Sequence, residues 1–267
     1  KPLWLLTSKI STYQLGYIKL TDFLNVQEKQ QLMRWCDQLE ALPETSGKWM
    51  KYFETNIHGD RSLCRIECFL DYHAGLSQLV RGEKTINLLS NLMGEKATLF
   101  KEKINFKLPG GNGFRPHQDA PAFISFNQRY HITMMLVIDD ATLQNGCLQL
   151  VEGGHYKNIT LDREADGSIR TDIAKSLPWK AIECKTGDLI LFDSYIPHYS
   201  EANLSDKPRR AAFVTYNRLS DGGSKRDAYF ADKREKFPPD CEKDPNKDYS
   251  AGAVIYNLAN PLPAKNL

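Results

Sequence analysis

The chain has no apolar run near the roughly 18 residues that a membrane-spanning helix needs, and its first residues, KPLWLLTSKIS, lack the continuous apolar stretch of a secretory signal peptide. Charge of one sign is missing too, because 35 lysines and arginines are balanced by 33 aspartates and glutamates, for a formal net charge of +2. This balance argues against a nucleic-acid surface or an anionic-membrane patch. We therefore expect a cytoplasmic protein whose partner is a small molecule, with no nucleic acid and no membrane involved.

Sequence patterns typical of zinc and of disulfide redox chemistry are also absent. The six cysteines are far apart except for Cys64 and Cys68, and a CxxxC spacing fits neither a zinc knuckle nor a redox CxxC motif. The HEXXH motif of zinc hydrolases does not occur. These absences favour buried free thiols and disfavour a zinc hydrolase.

The chain does contain enough apolar material for one core, since 41% of its 267 residues are hydrophobic and no repeat or convincing interdomain linker interrupts them. We predict a single domain over residues 1–267, with a helical N-terminal part over about 1–95, a barrel core over about 96–220 and a C-terminal extension over 221–267. Apolar residues at helical spacing predict one helix in LTDFLNVQEKQQLMRWCDQLEAL, capped by Thr21 or Asp22, and a second in GLSQLVRGEKTINLLSNLMG.

From about residue 98 the sequence changes to short segments rich in β-branched and aromatic residues, separated by Gly, Asn, Asp and Pro. Examples are TLFKEKINFKL, HITMMLVIDD, DLILFDSYIPH and RRAAFVTYNRL. Because no helices alternate with them at a βαβ period, they predict a mainly β fold with flanking helices, an antiparallel double-sheet barrel of the jelly-roll or cupin kind. Residues 157–180 would form a polar excursion from the barrel, and the charged tail after residue 220 shows no core-like run before AVIYNLANP.

The stretch FRPHQDAPAF places a histidine and an aspartate one residue apart. Residues i and i+2 of a strand project the same way, so His117 and Asp119 would converge on one point. A two-histidine-one-carboxylate iron site needs a second histidine, and His198 is the candidate because it follows the apolar segment DLILFDSYIP. An HxD pair alone matches many proteins by chance, whereas the pair together with this distant histidine is a strong signal.

The other four histidines are more typical of loop or packing positions. His58 and His73 lie among polar residues, and His131 begins an apolar strand. His155 stays open as an alternative ligand, because it ends a predicted strand near the same barrel mouth.

Arg209 opens the predicted strand RRAAFVTY, downstream of His198. If this strand runs beside that of His198, the guanidinium reaches into the barrel, where its planar fork can pair with a carboxylate. Arg210 would then face outward by alternation, although a shift of one residue in register would exchange the two.

These segments resemble the phytanoyl-CoA dioxygenase-like group of iron(II)- and 2-oxoglutarate-dependent oxygenases. The resemblance covers roughly residues 95–218 and lies in HQDAPAF, IDDATLQNGCLQLVEGGH, GDLILFDSYIPHYSEAN and DKPRRA. It implies a double-stranded β-helix core, Fe(II) held by His117, Asp119 and His198, 2-oxoglutarate with its distal carboxylate on Arg209, and O2 as the other cosubstrate.

Three more side chains on predicted strands near the motif are candidate hydrogen-bond donors to 2-oxoglutarate: Lys103, Asn105 and Thr133. Alternation places Lys103 and Asn105 on one face of their strand. Asn105 is the better candidate of the two, because burying a lysine requires a paired charge. Ordinary strand polarity is the alternative explanation for all three.

A narrower similarity, in GKWMKYFE, LCRIECFLDYH, FKEKINFKLPGG and KREKFPPD, is to bacterial hydroxylases of 2-aminoethylphosphonate and its N-trimethyl analogue, which hydroxylate the carbon bearing phosphorus. It implies a zwitterionic phosphonate substrate, held by basic or hydroxyl donors at one end and by aromatic rings or a carboxylate at the other. The candidates are Arg65, Arg129 and Tyr130 for the phosphonate, Trp49, Tyr52, Phe53 and Glu54 for the ammonium, and Asp193 and Tyr195 at the barrel mouth. A hairpin strand packed on the barrel is the alternative for KWMKYFE.

Two other hypotheses stay open at this point. The same iron chemistry could act on a small alkaloid, an amino acid or an acyl thioester. A barrel that binds metal or ligand without turnover is a second possibility, and the intact triad together with the downstream arginine argues against it.

Overall fold

The computed structural model of the protein describes residues 16–153, 156–256 and 260–261. Its strands are β1 (Tyr17–Leu20), β2 (Met50–Thr55), β3 (Arg61–Glu67), β4 (Ala97–Lys107), β5 (Phe114–His117), β6 (His131–Val137), β7 (Leu148–Val151), β8 (Trp179–Ile182), β9 (Leu189–Asp193), β10 (His198–Ser200) and β11 (Arg209–Arg218). They form a seven-stranded sheet in the order β1-β9-β6-β11-β4-β3-β2 and a four-stranded sheet in the order β5-β10-β7-β8. The neighbouring strands pair antiparallel, as predicted for this part of the chain.

The two sheets pack face to face through a buried apolar cluster. Its members alternate along their strands and include Met135, Val137, Ile190, Phe192 and Phe213 from the larger sheet and Leu148, Leu150 and Ile182 from the smaller one. The other face of the larger sheet is covered by helices. Because both of its faces are covered, β6 is buried at every position, which explains its continuous apolar run.

The N-terminal helices differ in detail from those predicted. Helix α1 (Val26–Ala41) begins at Asn25, whose side chain accepts a hydrogen bond from the Glu28 amide in a capping box, so the prediction that Thr21 or Asp22 caps it is wrong. The second predicted helix is two helices, α2 (Ala74–Arg81) and α3 (Glu83–Met93). Gly82 separates them with an extended backbone, and a Cβ there would lie 2.3 Å from the Gln78 carbonyl oxygen.

The first 95 residues are not only helical, because they also contribute β1 and the hairpin β2–β3. The hairpin alternative for KWMKYFE is confirmed, since β2 pairs with β3, which extends the larger sheet beside β4. Both strands bury charged residues, among them Arg65 and Glu67, which form an ion pair with Nε and Oε1 2.7 Å apart. Such pairing within the chain lets a charged segment be a buried strand.

Short helices follow β5 and lie in the polar excursion: α4 (Ala120–Phe123) and α5 (Thr171–Ser176). The C-terminal part adds α6 (Arg226–Lys236) and α7 (Ser250–Tyr256). The prediction that this part has no core-like run before AVIYNLANP is wrong, because Tyr229 and Phe230 are buried against Phe100 and its neighbours. Within the described ranges, none of the helices has the length and apolar character needed to cross a bilayer.

Helix α6 is fixed to the sheet by a buried ion pair, in which Lys233 Nζ lies 2.8 Å from a carboxylate oxygen of Glu67. We expect Lys233→Met to lower the free energy of unfolding by about 3–5 kcal/mol, because it leaves a buried carboxylate without one of its partners. Lys236→Met is the matched control, since Lys236 pairs with Asp232 at the surface and its loss should cost under about 1 kcal/mol. Urea unfolding measures both, and equal losses would contradict the prediction.

Candidate active site

Three side chains from neighbouring segments converge between the two sheets. His117 ends β5 and lies directly opposite His198, the first residue of β10. Asp119 is no longer on the strand, as alternation had predicted, but at the N-cap of α4. Its Oδ1 still lies 3.8 Å from Nε2 of His117 and 3.9 Å from Nε2 of His198. One ligand atom from each residue fits within a mutual separation of 4.8 Å, so the group could hold a metal ion.

Backbone carbonyls orient both imidazole rings. Nδ1 of His117 lies 2.7 Å from the Arg115 oxygen, and Nδ1 of His198 lies 2.9 Å from the Ile196 oxygen. Because a carbonyl only accepts, each Nδ1 carries the hydrogen and each Nε2 turns its lone pair to the centre. Burial, with neighbouring His198 second, lowers the pKa of His117 to about 3, and burial also lowers the pKa of His198. Both rings are therefore neutral near pH 7, the form that binds metals.

The carboxylate of the triad is ionised. Burial alone would raise the pKa of Asp119, but His198, Lys101 and His117 together outweigh it and hold the pKa below its usual range. Thr133 donates a hydrogen bond from Oγ1 to Asp119 Oδ2 at 3.3 Å. Two neutral imidazoles and one carboxylate, all buried and converging, form a donor set that fits a divalent transition metal such as Fe(II).

A pocket opens beside the triad, and polar side chains line much of it. They are Lys101, Lys103, Asn105, Thr133, Ser200, Arg209 and Thr215. Lys103, Asn105, Thr133 and Arg209 were predicted from the sequence, whereas Lys101, Ser200 and Thr215 were not. Lys101 has the same sequence signal as Lys103 and Asn105, because all three lie on one face of β4.

Arg209 lies in this pocket with only 2% of its surface exposed. Its Nε and Nη1 are buried and have no hydrogen-bond partner in the described part of the chain. Burial lowers the pKa of Arg209 to about 10, so the guanidinium remains charged. Arg210 points to the opposite face of β11, where its Nε lies 2.7 Å from an oxygen of Asp139. The pocket thus contains a buried cation that lacks a carboxylate partner.

The residues predicted for the ammonium end of a substrate do not line the pocket. The Tyr52 hydroxyl donates to the Phe237 oxygen at 2.7 Å, and Glu54 accepts hydrogen bonds from the backbone and side chain of Asn112. A β-bulge between Tyr52 and Phe53 shifts the register of β2 at this point. Trp49 donates from its indole to the Pro43 oxygen. These four residues are structural in the hairpin, and the structure does not bring them to the triad.

The remaining substrate candidates are scattered as well. Arg129 is exposed, and Tyr130 is half-buried against the cluster on the helical side of the larger sheet. Tyr195 is buried near the triad, but it is not among the pocket's lining residues, and neither is Asp193, which accepts a hydrogen bond from the Tyr195 amide. Arg65 comes nearest, because it lies directly opposite Asn105 on the neighbouring strand.

The other histidines lie away from the triad in so far as the structure describes them. His58 is exposed, the His73 ring accepts a hydrogen bond from the Leu76 amide as the N-cap of α2, and the His131 ring contacts Gln128 Oε1 at 2.9 Å. His155, left open as an alternative ligand, lies outside the described residues.

His131 gives the fold a measurable pH dependence, because burial lowers its pKa to about 4. Below pH 6.5 the His131 imidazole binds a proton in the unfolded chain but not in the folded chain. The stability that comes from keeping His131 neutral is therefore complete above pH 6.5 and is lost as the pH falls toward 4. We expect the protonation of His131 in the unfolded chain to lower the free energy of unfolding by about 2 kcal/mol as the pH falls from 7 to 5.

The variant His131→Phe isolates this term, because it keeps a ring packed beside Phe100 and Phe123 and removes the titrating group. Urea unfolding at the two pH values should give a flatter dependence for the variant than for the parent chain. The same slope for both chains would show that His131 is not the cause.

Comparison with known proteins agrees with the geometry. The profile of the family Phytanoyl-CoA dioxygenase (PhyH) matches residues 13–211, so the chain belongs to this family, and the prediction of a dioxygenase is confirmed. The chain is 52% identical over 248 residues to 2-aminoethylphosphonate dioxygenase of the uncultured bacterium HF130_AEPn_1, covering 92% of this chain and 94% of that protein. It is 42% identical over 224 residues to methylphosphonate hydroxylase of Gimesia maris, covering 84% of each.

Solved structures support the fold. The crystal structure of EctD from S. alaskensis with 2-oxoglutarate and 5-hydroxyectoine superposes with a TM-score of 0.67 at 20% identity, covering 82% of this chain and 80% of that one. The epimerase SnoN in complex with Fe3+, alpha ketoglutarate and nogalamycin RO gives a TM-score of 0.69 at 17% identity, covering 93% and 95%. The predicted jelly-roll core with flanking helices is thereby confirmed.

Proposed function

We propose that the protein is an Fe(II)- and 2-oxoglutarate-dependent dioxygenase that hydroxylates a small organophosphonate at the carbon bearing phosphorus. The substrate we propose is 2-aminoethylphosphonate or an N-methylated form of it. The convergence of His117, Asp119 and His198 beside the unpaired Arg209 carries the oxygenase part of this proposal. The two phosphonate-oxidising relatives support the substrate class.

Fe(II), 2-oxoglutarate and O2 together supply the oxidising power for a C–H hydroxylation, with 2-oxoglutarate converted to succinate and carbon dioxide. The protein holds and orients these groups. His117, Asp119 and His198 would hold the metal, and the carbonyls behind the two rings keep each Nε2 directed toward the centre of the triad. Held by these three side chains, the metal would remain accessible to 2-oxoglutarate and O2.

Arg209 is proposed to bind the distal carboxylate of 2-oxoglutarate, because a buried guanidinium with free N–H groups matches a carboxylate in charge and shape. Asn105 lines the same pocket and is proposed to contact the cosubstrate as well. Thr133 already donates to Asp119 and is proposed to hold that ligand in place.

A simple alkylphosphonate is a second candidate substrate, favoured by one observation. Among the described residues that line the pocket, Asp119 is the one carboxylate, and the proposed metal engages it. The pocket therefore offers cations for a phosphonate and, in its described part, no free carboxylate for an ammonium group. Methylphosphonate, which has no amine, tests this alternative.

We also propose that residues 1–267 act as one domain, because α6 packs on β4 and its side chains join the interior of the sheet.

We further propose a cytoplasmic location, because the six cysteines of the described ranges are free thiols, as expected in a reducing compartment.

The substrate is tested by incubating the protein with Fe(II), 2-oxoglutarate and O2 together with one phosphonate at a time. We expect 2-aminoethylphosphonate, its N-trimethyl form or methylphosphonate to accelerate succinate release and to give a new phosphorus resonance. Succinate release that no phosphonate accelerates would refute the substrate and leave the oxygenase standing. No succinate under any condition would refute both.

A further inference from the structure

Positive side chains of β3 and β4 come together in the interior, at the level of the triad. Lys101 and Lys103 line the pocket and are only 7% and 9% exposed, and Arg65 is fully buried on the neighbouring strand. Lys101 lies opposite Thr215, and Thr215 lies opposite Thr133, which donates to Asp119. We call Arg65, Lys101 and Lys103 the cationic cluster.

The cationic cluster lacks sufficient counter-charge. Glu67 is the carboxylate beside it, and it is shared between Arg65, 2.7 Å away, and Lys233, 2.8 Å away. Nη1 and Nη2 of Arg65 are buried without a hydrogen-bond partner in the described ranges. Asp119, the other nearby carboxylate, belongs to the triad.

The two lysines face aromatic rings instead of anions. Lys101 Nζ lies 4.6 Å from the ring centre of Phe123, and Lys103 Nζ lies 5.3 Å from that of Phe213. Among the described residues, the Nζ atom of neither lysine forms an ion pair or a hydrogen bond. Burial, and Lys101 next, lower the pKa of Lys103 to about 7, as expected for a cation without a counter-charge.

Apart from Arg209, which we assign to 2-oxoglutarate, other buried cations of the described chain have polar partners. Arg226 lies 2.6 Å from Glu102 and 2.8 Å from Asp71, and Lys107 contacts the Ser200 hydroxyl at 2.8 Å. Burying a charge without compensation is unfavourable, so an unpaired group of cations indicates a ligand that supplies the missing charge.

The cationic cluster is separate from the position proposed for the 2-oxoglutarate carboxylate. Arg209 lies opposite Lys107, whereas Lys103 lies opposite Phe213. Lys103 and Lys107 are four residues apart on β4, a span of about 13 Å along the strand. The strand therefore carries two anion positions, one beside Lys101 and Lys103 and one beside Arg209. The one beside Lys101 is level with Asp119, where a substrate must lie to be oxidised.

We propose that Lys101 and Lys103, backed by Arg65, bind the phosphonate group of the substrate. This inference rests on the proposed function and assigns Lys103 to the substrate rather than to 2-oxoglutarate. A phosphonate dianion presents three acceptor oxygens to several N–H donors, and its charge compensates the cationic cluster. Glu67, fixed by Lys233 of α6, is a positioning residue that orients Arg65.

The test compares Lys101→Met and Lys103→Met with Lys51→Met, a control in which the lost lysine is equally buried but donates to the carbonyl oxygens of Glu40 and Leu42. We expect each of the first two variants to raise the KM for the phosphonate at least about tenfold, because each loses one charge-assisted hydrogen bond to the substrate. Calorimetric binding of methylphosphonate should weaken equally, while the KM for 2-oxoglutarate and all constants of Lys51→Met stay within about twofold.

The outcomes separate this inference from the function. A parent enzyme that oxidises phosphonates while the lysine variants keep its phosphonate KM, or lose 2-oxoglutarate binding instead, overturns the inference and leaves the function intact. A parent enzyme that neither binds nor oxidises any phosphonate overturns both.

If a lysine variant fails to fold, the parent chain can be used to test whether Lys101 and Lys103 bind the phosphonate. Acylation of lysines by acetic anhydride, read by mass spectrometry, should slow at Lys101 and Lys103 when methylphosphonate is added and should not change at Lys51. Unchanged acylation at Lys101 and Lys103 would overturn the inference.

Discussion

Replacing Asp119 with alanine is expected to abolish iron-dependent turnover. The carboxylate is the charged member of the triad, and its loss leaves two neutral imidazoles to hold a divalent ion. Loss of an outer partner of a metal ligand already costs about 10–100-fold in affinity or activity, so loss of the ligand itself should cost more than about 100-fold. Succinate release and the iron content of the purified chain measure the two consequences.

Asp193→Ala is the matched control for this variant. Asp193 is a buried aspartate of β9 that accepts a hydrogen bond from the Tyr195 amide and is absent from the lining of the pocket. It should lose some stability and keep iron binding. If Asp119→Ala retained both iron and turnover, the triad would not be the metal site.

Replacing Arg209 with alanine is expected to raise the KM for 2-oxoglutarate about 30-fold or more. Truncating one partner of a buried, hydrogen-bonded charge pair costs about 2–5 kcal/mol, and 2 kcal/mol corresponds to about 30-fold in affinity. The metal ligands are untouched, so kcat at saturating 2-oxoglutarate should fall much less. Succinate release at increasing 2-oxoglutarate concentrations separates the two constants.

The neighbouring residue supplies the control. Arg210 has the same chemistry and points the other way, to Asp139 and Asp37. Arg210→Ala should therefore lower the free energy of unfolding and leave the KM for 2-oxoglutarate unchanged. Similar KM values for Arg209→Ala and the parent chain would mean that the cosubstrate carboxylate binds elsewhere.

The triad could be predicted from the sequence because its features are local. His117 and Asp119 are two residues apart, and His198 closely follows an apolar strand. The side chains of His117 and Asp119 still converge although Asp119 is the N-cap of α4 and not part of β5, because a short turn keeps Asp119 near His117. The alternation that separates Arg209 from Arg210 is equally local.

The N-terminal strands could not be recognised in the same way. Hydrophobic alternation is the main sequence signal of a strand, and β2 and β3 mix apolar residues with buried Lys51, Arg65 and Glu67. Lys51 and Glu67 find their partners in tertiary contacts, including the one from Lys233 of α6, that no short stretch of sequence contains.

The substrate residues were the least predictable part. Which face of β2 a residue occupies depends on the bulge at Tyr52 and Phe53, and the chain gives no local signal for it. Lys101 shares the alternation of Lys103 and Asn105, but only the structure shows that it is buried in the pocket, where the proposed phosphonate would supply a paired charge.

An anaerobic titration of the protein with Fe(II) in the presence of 2-oxoglutarate tests the central claim most directly. The account predicts one bound iron per chain and a weak visible absorption band, both of which are lost in His198→Ala. Iron binding and a band that persist unchanged in that variant would contradict it, because the metal would then lie away from His117, Asp119 and His198.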